Sequence, residues 1–236
     1  MTEKLRLVTE NDLDARRRAL NAEYDEDYYE RGVVVGKSGY MNYSWMPELT
    51  IRMAHFMITT LDIKSTDRVL DYGCAKGYLV RALRLLGVNA EGVDVSRYAI
   101  DNVDGAVKAH CRLIADSADA QLFKGQYDLM IAKDVFEHIL EDDLRTLLKH
   151  AHPNCKRMFV AVPLAADDHC NSFIVPEYNK DITHITIKSS GWWTRLFEDA
   201  GWKVDHFSHT FPGVKENWTG AWVDGNAFYS ISSGKA

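Results

Sequence analysis

Two short stretches place side chains at spacings that could do chemistry. In Asp71-Tyr72-Gly73-Cys74-Ala75-Lys76-Gly77, small residues alternate with larger ones behind an acid. Gly73, Ala75 and Gly77 lack bulk where a backbone must turn sharply and let a ligand approach, and the N–H groups of a following helix start are unpaired there. That is a cradle suited to a nucleotide. An acid about 20 residues further on, at the end of a second strand, would accept hydrogen bonds from ribose hydroxyls, and Asp94 stands at the end of Asn89-Ala90-Glu91-Gly92-Val93-Asp94. In the second stretch, Asp134-Val135-Phe136-Glu137-His138, a helical first turn would carry Asp134, Glu137 and His138 at i, i+3 and i+4 on one face. Two carboxylates and an imidazole so placed form a ligand-like triplet.

A cradle of this kind needs a strand before it and a helix after it, and the flanks supply both. Val69-Leu70, bounded by Asp67 and Arg68, reads as a buried strand, and Leu79, Val80, Leu83 and Leu86 are spaced as one helix face. A dinucleotide fingerprint would want a third glycine near position 78, where Tyr78 stands. Ser96 then caps a helix. Cys111 to Ala115 reads as a third strand ending in Asp116-Ser117, and Tyr127 to Lys133 as a fourth that delivers Asp134 to His138. An amphipathic helix from Glu141 to His152, a fifth strand from Arg157 to Pro163, a helix from Ser190 closed by Gly201, and two final strands, Trp202 to Thr210 and Ala227 to Ser232, complete the order. The polar excursion from Leu164 to Lys188 holds Asp167-Asp168-His169 and Asp181-Ile182-Thr183-His184. Leaving the carboxyl end of a strand, it is the natural substrate wall of an open α/β sheet.

Ahead of the cradle, Glu10 to Tyr24 suits a surface helix and Pro47 to Leu61 a second one. Between them Tyr28, Tyr29, Tyr40, Tyr43 and Trp45 either form a mobile flap over a ligand or pack this segment onto the core. Gly36-Lys37-Ser38 imitates the end of a P-loop, but only three residues separate Gly32 from Gly36, so the phosphate-loop spacing fails.

Asp71-x-Gly73-x-Ala75-x-Gly77, followed by Asp94, resembles motif I and the ribose acid of the class I S-adenosylmethionine-dependent methyltransferases, with Ala75 where the family has its middle glycine. Asp134-x-x-Glu137-His138 is similar to the Asp-x-x-Glu-His segment of many small-molecule members. The resemblance covers about Asp67 to Ser232. It implies a Rossmann-like α/β fold: a mostly parallel seven-stranded sheet with helices on both faces and the last strand antiparallel. Residues 61–236 would form that domain, and residues 1–60 a helical cap and aromatic flap.

The same resemblance implies S-adenosyl-L-methionine as cofactor, held by Asp71, Gly73, Ala75, Gly77, Asp94, Val95 and Lys133. Asp116 would face the adenine amino group and the Ser117 backbone N–H a ring nitrogen; the alternative for that pair is a simple turn and helix cap. The sulfonium methyl is electrophilic already, so the protein must align an acceptor and exclude water. An oxygen acceptor also needs a base or a Lewis acid, which makes His138, His184 and Asp134 the catalytic candidates. Asp134, Glu137, His138 and His184 could together hold Mg²⁺ or Mn²⁺. A comparable set occurs in ubiquinone-pathway and RNA 3′-end methyltransferases, which have Glu where Asp134 stands. Members without metal share the pattern too, with Glu137 and His138 only orienting the turn. Asp167, Asp168 and His169 are a rival metal set or a solvated acidic loop.

With 236 residues and 46% hydrophobic content the chain can bury one substantial core. A formal net charge of −6 opposes broad phosphate-backbone binding, so nucleic acid is not expected as a partner. Four separated cysteines without a CxxC pair fit reduced thiols. No apolar run reaches the length of a membrane span, and a cytoplasmic address is expected. Within these limits the resemblance implies O-methylation of a small polar metabolite, a saccharide or phosphorylated intermediate. Methylation of an RNA terminus and a catalytically silent cofactor-binding regulatory subunit are the alternatives.

Overall fold

The computed structural model describes residues 10–234. Four N-terminal helices, α1 (Glu10–Glu23), α2 (Glu26–Glu30), α3 (Gly32–Val35) and α4 (Pro47–Thr60), precede β1 (Arg68–Tyr72). Then follow α5 (Tyr78–Leu85), β2 (Asn89–Asp94), α6 (Arg97–Asp101), β3 (Cys111–Leu113), β4 (Tyr127–Lys133), α7 (Glu141–Asn154) and β5 (Cys155–Pro163). The chain closes with α8 (Ser190–Asp199), β6 (Lys203–Ser208), α9 (Glu216–Ala221) and β7 (Asn226–Ser232).

The seven strands form one sheet in the order β3-β2-β1-β4-β5-β7-β6. β1 to β5 run parallel, while β7 is antiparallel to both β5 and β6. This is the Rossmann-like methyltransferase sheet that the motif order implies. Central parallel strands are covered on both faces and so need apolar side chains in both directions. Along β4, Leu129 and Ile131 pack toward α4 and α5 with Ala54, Met57, Val80 and Leu83. Their neighbours Met130 and Ala132 pack the other way, with Leu144 and Leu147 of α7 and Trp193 and Phe197 of α8. The alternation follows from the two-residue period of a strand. Because β1, β2, β4 and β5 are parallel, their carboxyl ends, Tyr72, Asp94, Lys133 and Pro163, open on one edge of the sheet.

Several local expectations need correction. Leu86 is 39% exposed, because α5 ends at Leu85 and Gly87 turns the chain away at φ +84°. β3 stops at Leu113, two residues short of Ala115. Lys37 pairs with Glu23 and Asp25, and the Ser38 hydroxyl donates to the Tyr28 carbonyl at 2.6 Å, so neither faces a phosphate. Among the described residues, no helix is long and apolar enough to cross a membrane.

Candidate active site

The cradle is held by backbone geometry and one carboxylate. Gly73 has φ +80°, and a Cβ built there would lie 2.4 Å from Val135 Cγ2, so any side chain would collide with the turn after β4. Ala75 is also left-handed, at φ +47°, a conformation its small side chain tolerates with strain. Asp94 Oδ2 accepts the Ala75 N–H at 2.7 Å, and its Oδ1 accepts the Ser96 N–H at 2.7 Å. Burial pushes the Asp94 carboxyl up to about 6, against the pull of these backbone donors. Asp71 is 4% exposed, and burial raises it to about 7 while the Lys133 ammonium opposes the rise. Gly77 lies behind the cradle, where a Cβ would come within 3.0 Å of Cys111 Sγ, so its part is packing.

Two connected cavities meet at the cradle. The smaller is lined by Gly73, Ala75, Asp94, Val95, Asp116 and Ser117, with Tyr24, Tyr28 and Tyr29 of the N-terminal segment also facing it. Asp116 Oδ1 accepts the Ala118 N–H at 2.9 Å and the Ser117 carbonyl accepts the Tyr72 hydroxyl at 2.5 Å, so the expected turn and the cavity lining coincide. The larger, about 1040 Å³, takes in Asp71, Lys133, Glu137, Tyr178 and His184. Tyr28, Tyr40, Gly73, Ala75, Asp134 and His138 line both. These six shared residues mark where the two cavities meet.

Beyond β4 the expected helical turn does not form. Asp134 is left-handed, at φ +56°, and only a single 3₁₀ turn, Phe136–His138, follows. Asp134 therefore turns away from the other three. Its carboxylate takes Lys133 Nζ at 2.6 Å and also pairs with Lys215. Burial alone would raise its pKa, but the two ammonium groups outweigh that and hold it well below the usual carboxylate range.

Glu137, His138 and His184 do converge, with ligand atoms within 4.8 Å of one another. The two rings are locked from outside the cavity. The Thr183 hydroxyl donates to Asp181 Oδ1 at 2.6 Å, so its oxygen accepts from His138 Nδ1 at 2.8 Å. His184 Nδ1 lies 2.6 Å from the Tyr178 carbonyl and must be the donor there. Each ring thus keeps an Nε2 lone pair, and the ring centroids lie 4.5 Å apart. Burial, and then the neighbouring His184, lowers His138 to about 4; burial lowers His184 as well. Both imidazoles are neutral at pH 7. Glu137 is 1% exposed, its Oε2 has no partner, and burial followed by the Asp134 charge raises it to about 8.

The rival acidic cluster is not assembled. Asp167 accepts the N–H groups of His169 and Cys170, and Asp168 is taken by Ser189 and Arg195. Lys215, Glu177, Tyr178 and Trp218 line the larger cavity without having been marked by any motif. Glu177 and Tyr178 belong to the polar excursion expected as the substrate wall, whereas Trp218 of α9 and Lys215 just before it carry no such signal, so only the tertiary fold brings those two in.

Residues 43–207, more than half of the chain, match the methyltransferase-domain family Methyltransf_23. The chain belongs to the class I S-adenosylmethionine-dependent methyltransferases. As one of these methyltransferases it shares its fold with solved structures at low identity. A TehB-like S-adenosylmethionine-dependent methyltransferase from Corynebacterium glutamicum is 16% identical, with 91% of this chain and 98% of that one covered and a TM-score of 0.57. Geranyl diphosphate C-methyltransferase from Streptomyces coelicolor is 16% identical, with 76% and 78% covered and a TM-score of 0.58. The calicheamicin-biosynthesis methyltransferase CalO1, in a form with bound S-adenosylhomocysteine, is 14% identical with a TM-score of 0.51; 75% of this methyltransferase matches 52% of that chain, so it spans about half of that relative. A search of curated proteins finds no match.

Of the residues expected at the cofactor, Gly73, Ala75, Asp94, Val95, Asp116 and Ser117 line the smaller cavity, and Asp71 and Lys133 line the larger.

Proposed function

We propose that this methyltransferase transfers the methyl group to an oxygen of a small polar acceptor, a saccharide or phosphorylated intermediate, with Mg²⁺ or Mn²⁺ assisting. One observation carries the reading: two neutral imidazole Nε2 atoms and an unpartnered, buried Glu137 oxygen face the cavity that continues from the cradle. A carboxylate with two imidazoles is a donor set that divalent metals accept. Such a cation, when bound, would polarise an acceptor hydroxyl.

The remaining work falls to the chain itself. Thr183 and the Tyr178 carbonyl orient the two rings, and without a cation the same Nε2 atoms are placed to take the hydroxyl proton. The two uses exclude each other at one nitrogen. Tyr28 and Tyr40, which line both cavities, act with the rest of residues 10–60 as a cap that keeps water from the transferred methyl, residues 1–9 of the expected cap lying outside the described residues. Lys133 braces Asp134 and opposes the burial of Asp71. The four cysteines are free, which suits a reducing compartment and supports a cytoplasmic address. The net charge of −6 favours a small-molecule acceptor over a nucleic acid.

The test is turnover of methyl-labelled S-adenosylmethionine against pooled small metabolites, with and without chelator. The carbon chemical shift of the transferred methyl reads out the acceptor atom. Loss of turnover in chelator supports the cation; chelator-resistant turnover assigns the histidines as bases, and a carbon-bound methyl discards the oxygen reading.

A further inference from the structure

Lys215 lies on the segment between β6 and β7, remote in sequence from Lys133, Asp134, Glu137, His138 and His184. Its backbone is left-handed, at φ +54°, and its side chain is 9% exposed. The ammonium meets the Asp134 carboxylate, donates to Asn226 Oδ1 at 3.0 Å and stands 4.4 Å from the Tyr178 ring centre. Asn226 is fully buried, and its Oδ1 also accepts the Tyr178 hydroxyl at 2.9 Å. Lys215 is therefore fixed by the first residue of β7, by the polar excursion after β5 and by the end of β4. Lys133 closes the opposite oxygen of Asp134 at 2.6 Å.

Asp134 lines the same larger cavity as the converging trio. Yet its oxygens lie outside the 4.8 Å group that Glu137, His138 and His184 form. Each Asp134 oxygen meets an ammonium group, so its charge is already compensated, and the two ammonium groups would repel a further cation brought to it.

We propose that Lys215 withdraws Asp134 from the cation site, so that a divalent ion is held by Glu137, His138 and His184 alone. This rests on the cation reading of the proposed function. Three protein ligands instead of four leave more of an octahedral ion's positions for acceptor oxygens. Lys215 is a positioning residue in this scheme: it sets the ligand number and touches no reacting atom.

The experiment uses the full-length chain and Mn²⁺ alone, with affinity from paramagnetic resonance of the free ion and bound-water number from line broadening in oxygen-17 water. In the native chain Mn²⁺ should bind with about three waters, as an octahedral ion with three protein ligands requires. Glu137→Gln should weaken it roughly tenfold or more. Lys215→Met should tighten binding about tenfold and remove one water, as Asp134 joins the ion. That gain is one which damage to the fold would not produce. Asp134→Asn, with Lys215 in place, should leave the water number unchanged even if the unpaired lysines lower the affinity. An added water in Asp134→Asn, or a folded Lys215→Met protein with unaltered affinity and water number, overturns the inference while the cation reading stands. Absence of Mn²⁺ binding in both the native chain and Lys215→Met discards the two together.

Discussion

Asp94 and His138 both face the cavity, but they are held in place by different means. Each Asp94 oxygen accepts a backbone N–H, one from Ala75 and one from the adjacent turn at Ser96. His138 is oriented by Thr183, which in turn is fixed by Asp181, and Asp181 also accepts the Tyr28 hydroxyl at 2.9 Å from the N-terminal segment. The cofactor side is thus a feature of main chain around two strand ends, whereas the acceptor side is a relay of side chains from remote segments. Changes of backbone conformation should ruin the first, and loss of single side chains should ruin the second while sparing the first.

The largest effect is expected at Gly73. Gly73→Val places a branched side chain at φ +80° and 2.4 Å from Val135, at a cost of about 3 kcal/mol or more in strain and overlap. Calorimetry should find no S-adenosylhomocysteine binding, and retained binding would break the view that main-chain shape makes this side. Next is His184→Ala, which should lower turnover by roughly 100-fold while leaving S-adenosylhomocysteine affinity within about twofold. A parallel loss of cofactor affinity would show that the two sides are not separable.

Asp94→Asn turns an acceptor into a donor against N–H groups it now accepts, and should weaken S-adenosylhomocysteine binding about tenfold. The smallest effect is on the pH dependence of stability. In the folded chain Asp71 and Glu137 keep their protons to about 7 and about 8, whereas unfolded carboxyls lose theirs near 4. The stability from these two groups is whole below about pH 4 and lost as pH rises through their folded values. The buried imidazoles work in the opposite sense below about 6.5, where unfolded histidine is charged. Between pH 6.5 and 8 the melting temperature of the free protein should therefore fall by a few degrees. Asp71→Asn should remove the lower part of that slope and Glu137→Gln the upper part, which assigns each half to one side of the cavity.

A site residue is most legible in the sequence where it is placed by neighbours in its own stretch. Gly73, Ala75 and Asp94 announce themselves because a tight turn and a strand-end acid leave few residue types allowed. Glu137 and His138 were also visible, as was His184 in its polar excursion. Asp134 was not read correctly, because a helical phase was assumed for five residues in which a left-handed turn intervenes. Lys215 carries no signal at all: one lysine in a connecting segment looks like any solvated lysine. In the aromatic segment Tyr28 and Tyr29 are buried, as the packing alternative expects, and Tyr28 and Tyr40 also line the cavities.

By itself the order of residues determined the family, the sheet and the tight turn between its first strand and the helix that follows. Those depend on periodicity, on glycine and on backbone groups, whose constraints are written locally in the chain. Only the tertiary structure decided which charges meet on the acceptor side. Whether a buried carboxylate faces an ammonium or an open cavity depends on which distant segments the sheet carries to the same edge, and the Coulomb energy of that meeting has no counterpart in sequence spacing.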